Sequence, residues 1–238
     1  MEYNIDHISM SKEITGDINS NNRYKMILVG DTAVGKSSIV MTLKGLHINP
    51  ANPPASTIGA SFTTLHLDDN TINCWDTAGQ ERYFSLVDIY FKDVDIVFFV
   101  YDITRPETLE SIFSRWYPRF LECRKKYGQQ RCPTLLFLIG NKTDTSDLQK
   151  GALKDSVFRS KEHYMKLNNM HHFLVSALNH NNLGLLKKEL KNLISPESPI
   201  GQYKLNQKIK TVKLKESPPS TLKETLNEYV PKKPCCYN

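Results

Sequence analysis

The stretch GDTAVGKS at residues 30–37 places two glycines, a lysine and a hydroxyl in the spacing G-x-x-x-x-G-K-[ST]. That order of residue types suits a bound phosphate. Gly30 and Gly35 allow a backbone whose successive N–H groups, drawn from Asp31, Thr32, Ala33, Val34, Gly35, Lys36, Ser37 and Ser38, face one anion. A helix opening at Ser37 adds the positive end of its dipole. Lys36 is long enough to reach the outer phosphates, and Ser37 offers its hydroxyl to Mg²⁺. Alone, this loop leaves open the choice between ATP and GTP, and between kinase and hydrolase.

Two further motifs narrow it. In WDTAGQE (75–81), Asp76 ends an apolar strand where it can hold Mg²⁺ through water, and Gly79 supplies a backbone N–H for a γ-phosphate. Gln80 brings an amide able to orient a water for in-line attack, which makes it the candidate catalytic residue. In NKTD (141–144), Asp144 presents a carboxylate that accepts two hydrogen bonds from the N1–H and 2-amino group of guanine, which adenine lacks. Asn141 and Lys142 brace that site and flank the base. All three motifs sit at the C-terminal end of a strand, where open α/β sheets bind their ligands.

The elements that must position them follow from periodicity. Apolar runs at 24–30, 61–67, 71–76, 95–102, 134–140 and 171–176 read as six strands. Three of these are almost continuously apolar, as in parallel strands buried on both faces. The runs at 61–67 and 71–76 flank a short polar turn and form a hairpin. Helical patterns cover 37–46, 109–127, 153–167 and 183–194, and Pro118 should kink or split the second. Alternating strands and helices give an α/β fold with a mostly parallel sheet and helices on both faces.

Bulk properties exclude several classes. The 238 residues contain no run near the roughly 20 apolar residues of a spanning helix. Residues 1–22 read as a polar, disordered extension without a signal-peptide pattern, and Glu2 excludes myristoylation. Five scattered cysteines form no disulfide framework, so Cys74, Cys123 and Cys132 are expected as reduced thiols in a cytosolic setting. His171 and His172 point to opposite faces of their strand and cannot readily share a metal. Of the net charge of +6, four units lie beyond Ser195, which leaves too little on the rest of the chain for a nucleic-acid footprint. That region also holds half of the twelve prolines and reads as a disordered linker, 195–238. A weak Leu222–Leu226–Tyr229/Val230 pattern lies within it, and the composition favours an unstructured reading over a short docking segment.

The motifs resemble the Ras superfamily of small GTPases, and within it the Rab family, over residues 23–194. The Rab likeness rests on TIGASF (57–62), WDTAGQERY (75–83), YFKDVD (90–95), VYDIT (100–104) and the terminal pair Cys235–Cys236. The resemblance implies a P-loop NTPase G domain that binds GTP or GDP with Mg²⁺, held by Ser37, Thr57 and Asp76. Thr57 would also meet the γ-phosphate as part of switch I, and residues 77–92 would form switch II. Slow GTP hydrolysis would be stimulated by an activating protein. The guanine-supporting S-A-K of the family appears here as Ser176-Ala177-Leu178, whose useful group is the backbone N–H around Ala177.

The resemblance further implies a monomeric switch in vesicle trafficking. Its partners would be an exchange factor, a GTPase-activating protein, a GDP-dissociation inhibitor or escort protein, and effectors, with no nucleic acid. Cys235 and Cys236 would carry prenyl groups on the cytoplasmic face of an intracellular membrane, two chains being what stable anchoring needs. A linker of about 40 residues would reach roughly 35 Å. Switch I departs from the family: KGLHINPANPPAS (44–56) is longer, holds three prolines, and lacks the aromatic residue many members lay on the nucleotide. A nucleotide-dependent binding module with little hydrolysis therefore stays open beside the GTPase, while Asp144 opposes an ATP-dependent kinase.

Overall fold

The computed structural model describes residues 22–79, 84–129, 133–145, 162, 165–166 and 168–215. Six strands are present there: β1 (Arg23–Val29), β2 (Ala60–Leu67), β3 (Asn70–Thr77), β4 (Ile96–Asp102), β5 (Leu135–Asn141) and β6 (Met170–Leu174). They form one sheet in the order β2-β3-β1-β4-β5-β6. Only β2 is antiparallel, in a hairpin with β3 in which Leu67 faces Asn70. Asp68 closes that turn in the left-handed region, φ 52°. The order reverses on either side of β1, so the crevice for a ligand opens at the end of that strand.

Alternation along β1 sorts the core into two layers. Met26 and Leu28 face one side with Ile39 and Leu43 of α1 (Lys36–Leu43) and Leu186 and Leu190 of α5 (Leu183–Leu193). Ile27 and Val29 face the other, with Phe91 of α2 (Phe84–Phe91) and residues of the long segment after β4. That segment comprises α3 (Pro106–Ser111), a π-helical turn (Ile112–Trp116) and α4 (Tyr117–Lys126). Pro118 is the reason for the interruption. It has no N–H to give Ser114, and the chain absorbs the mismatch in a wide turn where Tyr117 N–H reaches back to Ile112 O. Helix α2 falls among residues assigned to switch II, where sequence periodicity marked no helix.

The end of the folded part needs correction. Sequence composition placed it at Ile194, but helix α6 (Pro199–Lys215) follows and is docked on the domain. The apolar period there is too sparse to announce a helix, because much of its fixation is polar. Ile200 is buried in the first core layer, and Lys204 Nζ lies 2.7 Å from the carboxylate of Asp95. Tyr24 accepts the same ammonium over its ring and donates its hydroxyl to Ile194 O at 2.9 Å. Burial pushes the Asp95 carboxyl up, and Lys204 and the Lys25 N–H offset part of that cost. Residues 1–21, most of the expected helix 153–167, Cys132 and the chain from 216 onward lie outside the described residues.

Cys74 and Cys123 are buried free thiols, both pushed up by burial, and so poorly nucleophilic. His171 and His172 do lie on opposite faces of β6. His171 packs on Phe137 of one layer, while the His172 ring stacks on Tyr101 of the other with Nε2 3.0 Å from its hydroxyl. Burial lowers the His172 imidazole to about 4, against an ordinary value of 6.5. The folded chain therefore keeps it neutral where the unfolded chain would protonate it. Its contribution is fully present above pH 6.5 and lost as pH falls towards 4, on the order of 3 kcal/mol. Urea unfolding across that range is expected to show the loss in the native chain and a flatter profile in His172→Gln.

Candidate functional site

The loop 30–37 leaves β1 and enters α1, as the motif requires. Its carbonyls, rather than its amides, are engaged by the protein. Lys36 is buried with Nζ donating to Gly30 O at 2.8 Å and Asp31 O at 2.9 Å, so the loop is curled around its own ammonium. Burial lowers that ammonium to about 8, with Asp76 and Asp31 opposing the shift. An anion in the loop would supply the compensation that burial removes. Asn141 Nδ2 donates to Val34 O at 3.0 Å. That amide packs so closely that a Cβ on Gly35, at φ 94°, would stand 2.2 Å from it. Gly79 is equally constrained, since a Cβ there would lie 2.4 Å from the Asp31–Thr32 peptide.

A second group of atoms converges at the N-terminus of α1. Ser37 Oγ and Thr57 Oγ1 both donate to Asp76 Oδ2, at 2.5 and 3.0 Å, and stand 2.9 Å from one another. The other oxygen of Asp76 is buried and has no partner among the described residues. Burial pushes the Asp76 carboxyl up, and the two hydroxyls and Lys36 offset that only in part. Hard oxygen donors around an under-compensated carboxylate are the donor set that suits Mg²⁺. A cavity of about 350 Å³ lies beside them, lined by the loop, Gly79 and Lys142, and closed by Pro53 to Thr57 of the long switch I segment. His47 of that segment sits against His180, ring centroids 4.7 Å apart.

The expected guanine-side residues gather at the end of β5. Ser176 Oγ donates to Asp144 and accepts the N–H groups of Leu178 and Asn179 at 3.2 and 3.1 Å. Among the backbone N–H groups around Ala177, Ala177's own is given to Asn141 Oδ1 at 3.0 Å. Asn141 therefore clamps the phosphate loop to the Ser176–Leu178 loop. The Leu178 side chain is exposed.

Four residues of the site were not singled out from sequence. Asp102, at the end of β4, holds Lys142 Nζ at 2.7 Å and Arg105 Nε at 3.1 Å. Burial raises the Asp102 carboxyl, but the Lys142 ammonium and Thr104 more than reverse this and hold it below the usual range. Arg105 Nη2 continues to Thr32 O at 3.0 Å, linking the NKTD motif to the phosphate loop. Ser111 and Trp116 both donate to Asp31 Oδ1, at 2.8 and 2.9 Å. The Asp31 carboxylate thus points at this helical segment, leaving its backbone to a ligand. Residues five apart lie ~140° apart around a regular α-helix. The π turn brings Ser111 and Trp116 to one side. The signal for Asp102 was the VYDIT stretch itself, with Arg105 the residue after it; nothing in the local pattern could show the Ser111–Trp116 pairing.

Residues 25–195 match the Ras family profile. The chain is 32% identical over 158 residues to the Ras-related protein Rab-19 of Mus musculus, an alignment covering 64% of this chain and 68% of that one. It is 35% identical over 190 residues to the GTP-binding protein ypt5 of Schizosaccharomyces pombe, covering 77% and 81% respectively. The chain belongs to the Rab family of small GTPases. As a Rab it binds GTP and GDP and hydrolyses GTP, and the six-stranded G-domain sheet agrees with that membership. Gln80, the candidate catalytic residue of this Rab, lies outside the described residues.

The Asp31 brace yields a test. Trp116→Phe removes one of two donors to a carboxylate, so a loss of about 1–2 kcal/mol in urea unfolding is expected, with faster release of bound nucleotide. Unchanged values of both would show that Ser111 suffices.

Proposed function

We propose that this Rab is a membrane-anchored switch in vesicle trafficking, with Mg²⁺ and GTP holding its active state. The observation that carries the reading is the meeting of Ser37, Thr57 and Asp76. It joins the phosphate loop, switch I and β3 through one carboxylate whose second oxygen has no partner among the described residues. Bound there, Mg²⁺ would neutralise phosphate charge and tie Thr57 to the ligand. Lys36 would meet the outer phosphates, and backbone N–H groups of the loop and of Gly79 would take their oxygens. Asp144 would select guanine through its two-fold acceptor pattern, with Lys142 held beside the base by Asp102.

Loss of the γ-phosphate would remove what holds Thr57 and Gly79 inward, releasing switch I and switch II from effectors. Turnover between the states calls for an exchange factor and an activating protein, with a GDP-dissociation inhibitor or escort protein to carry the lipidated form through the cytosol. Gln80 would orient the attacking water. Single-turnover hydrolysis by Gln80→Leu, with and without an activating protein, is expected to fall at least about tenfold. An unaltered rate in both conditions would remove Gln80 from the mechanism.

Prenylation of Cys235 and Cys236 would supply the two chains that stable anchoring needs. With α6 docked, the tether would begin at residue 216 and not at 195. A tagged Cys235→Ser/Cys236→Ser variant is expected in the cytosol, with nucleotide binding intact. Retention on membranes would overturn the anchor.

A further inference from the structure

The segment 47–57 between α1 and β2 is fastened at both of its ends. At one end Thr57 meets Ser37 and Asp76 beside the phosphate loop. At the other, His47 meets His180, ring centroids 4.7 Å apart and planes tilted by 49°. His180 belongs to the loop that Ser176 and Ala177 tie to Asp144 and Asn141. The segment therefore runs as a strap from the NKTD end of the site to the phosphate end, and Pro53 to Thr57 line the cavity on the way. His180 stands in a closed loop, where Asn181 O accepts the Ser176 N–H at 3.1 Å and His180 O accepts that of Leu183 at 3.3 Å. Its backbone is at φ 65°, a region costly for most side chains. Its Nε2 is buried with no partner among the described residues, so that atom adds no hydrogen bond to the ring contact. Ile48, next to His47, packs against the first core layer and fixes the backbone there. Beyond it Asn49 accepts the Ala51 N–H on Oδ1 and the Asn52 N–H on O, both at 3.0 Å, closing a turn with Pro50 at its second position. Pro50, Pro53 and Pro54 each fix φ, so the strap is stiff and its opening is decided at its ends.

We infer that His47 and His180 form a latch that keeps this strap closed over bound GDP. The inference rests on the reading of Thr57 under Proposed function. While Mg²⁺ and a γ-phosphate hold Thr57, both ends of the strap are fastened. Once the γ-phosphate has gone, the Thr57 end is let go, and the ring pair is the tie that remains at the other end. Neither imidazole is among the residues lining the cavity, so both are positioning residues that act through the strap. A ring pair at this spacing changes a release rate by roughly twofold to tenfold. The latch thus weighs on GDP more than on GTP.

The test follows release of a fluorescent GDP from the full-length chain in Mg²⁺ after a chase of unlabelled GDP, with a fluorescent non-hydrolysable GTP analogue in parallel. His47→Ala and His180→Gly should each speed GDP release by about threefold to tenfold, and analogue release by less than about twofold. Glycine takes φ 65° freely, so His180→Gly removes the ring without straining the loop. The double variant is expected to release GDP no faster than the faster single one, because either substitution already opens the latch. His47→Phe, which puts a ring back, should stay within about twofold of the native chain. GDP release unchanged in both single variants, gains that multiply in the double variant, His47→Phe as fast as His47→Ala, or equal gains with both nucleotides overturns the latch. Thr57→Ala, run alongside, should speed release of the analogue more than that of GDP. If it does not, the γ-phosphate role of Thr57 falls, while the GDP rates of the histidine variants still judge the latch.

Discussion

A loop that is to cradle an anion must keep its backbone N–H groups unspent, and everything around this site answers to that constraint. The protein grips the loop by the opposite pole of its peptides. Lys36 takes the carbonyls of Gly30 and Asp31, Arg105 takes that of Thr32, and Asn141 takes that of Val34. Each bond is worth only about 1 kcal/mol net, but together they fix the direction of the peptide dipoles. Preorganisation is paid for in folding, so a ligand need not supply it on binding.

The same grip explains why distant motifs form one site. Asn141 spans from the phosphate loop to Ala177, and Asp102 spans from Lys142 to Arg105 and onward to Thr32. The NKTD motif and the phosphate loop are therefore mechanically one unit. On the far side, Pro118 forces a π turn, and the turn brings Trp116 and Ser111 together on Asp31. A backbone irregularity with a local cause thus acts on the site through side chains.

Much of this was legible from sequence because it depends on local order. The strands were readable from apolar runs, and the three ligand motifs from residue types at fixed spacing after strands. Asp76 and Ser37 meet as those motifs imply. Other features depend on partners distant in the chain. Helix α6 lacks a sustained apolar stripe, and its fixation includes Ile200 in the core and the Lys204 ion pair to Asp95, 109 residues earlier. Sequence pointed to the backbone N–H groups around Ala177, and only the fold shows that Ala177's own is given to Asn141. His47 illustrates the same limit. The sequence gives no sign that His47 and His180, far apart in the chain, meet ring to ring in the fold.

The sequence by itself determined the family and the residue types and spacings on which the proposed chemistry rests: the loop 30–37, Asp76 and Asp144. Those signals are carried by covalent spacing, which survives without the fold. Tertiary structure alone decided how the loop is held open, which N–H groups are already spent, and where the folded part ends. Each of these is settled by hydrogen bonds and an ion pair between residues far apart in the chain, and no local pattern encodes them.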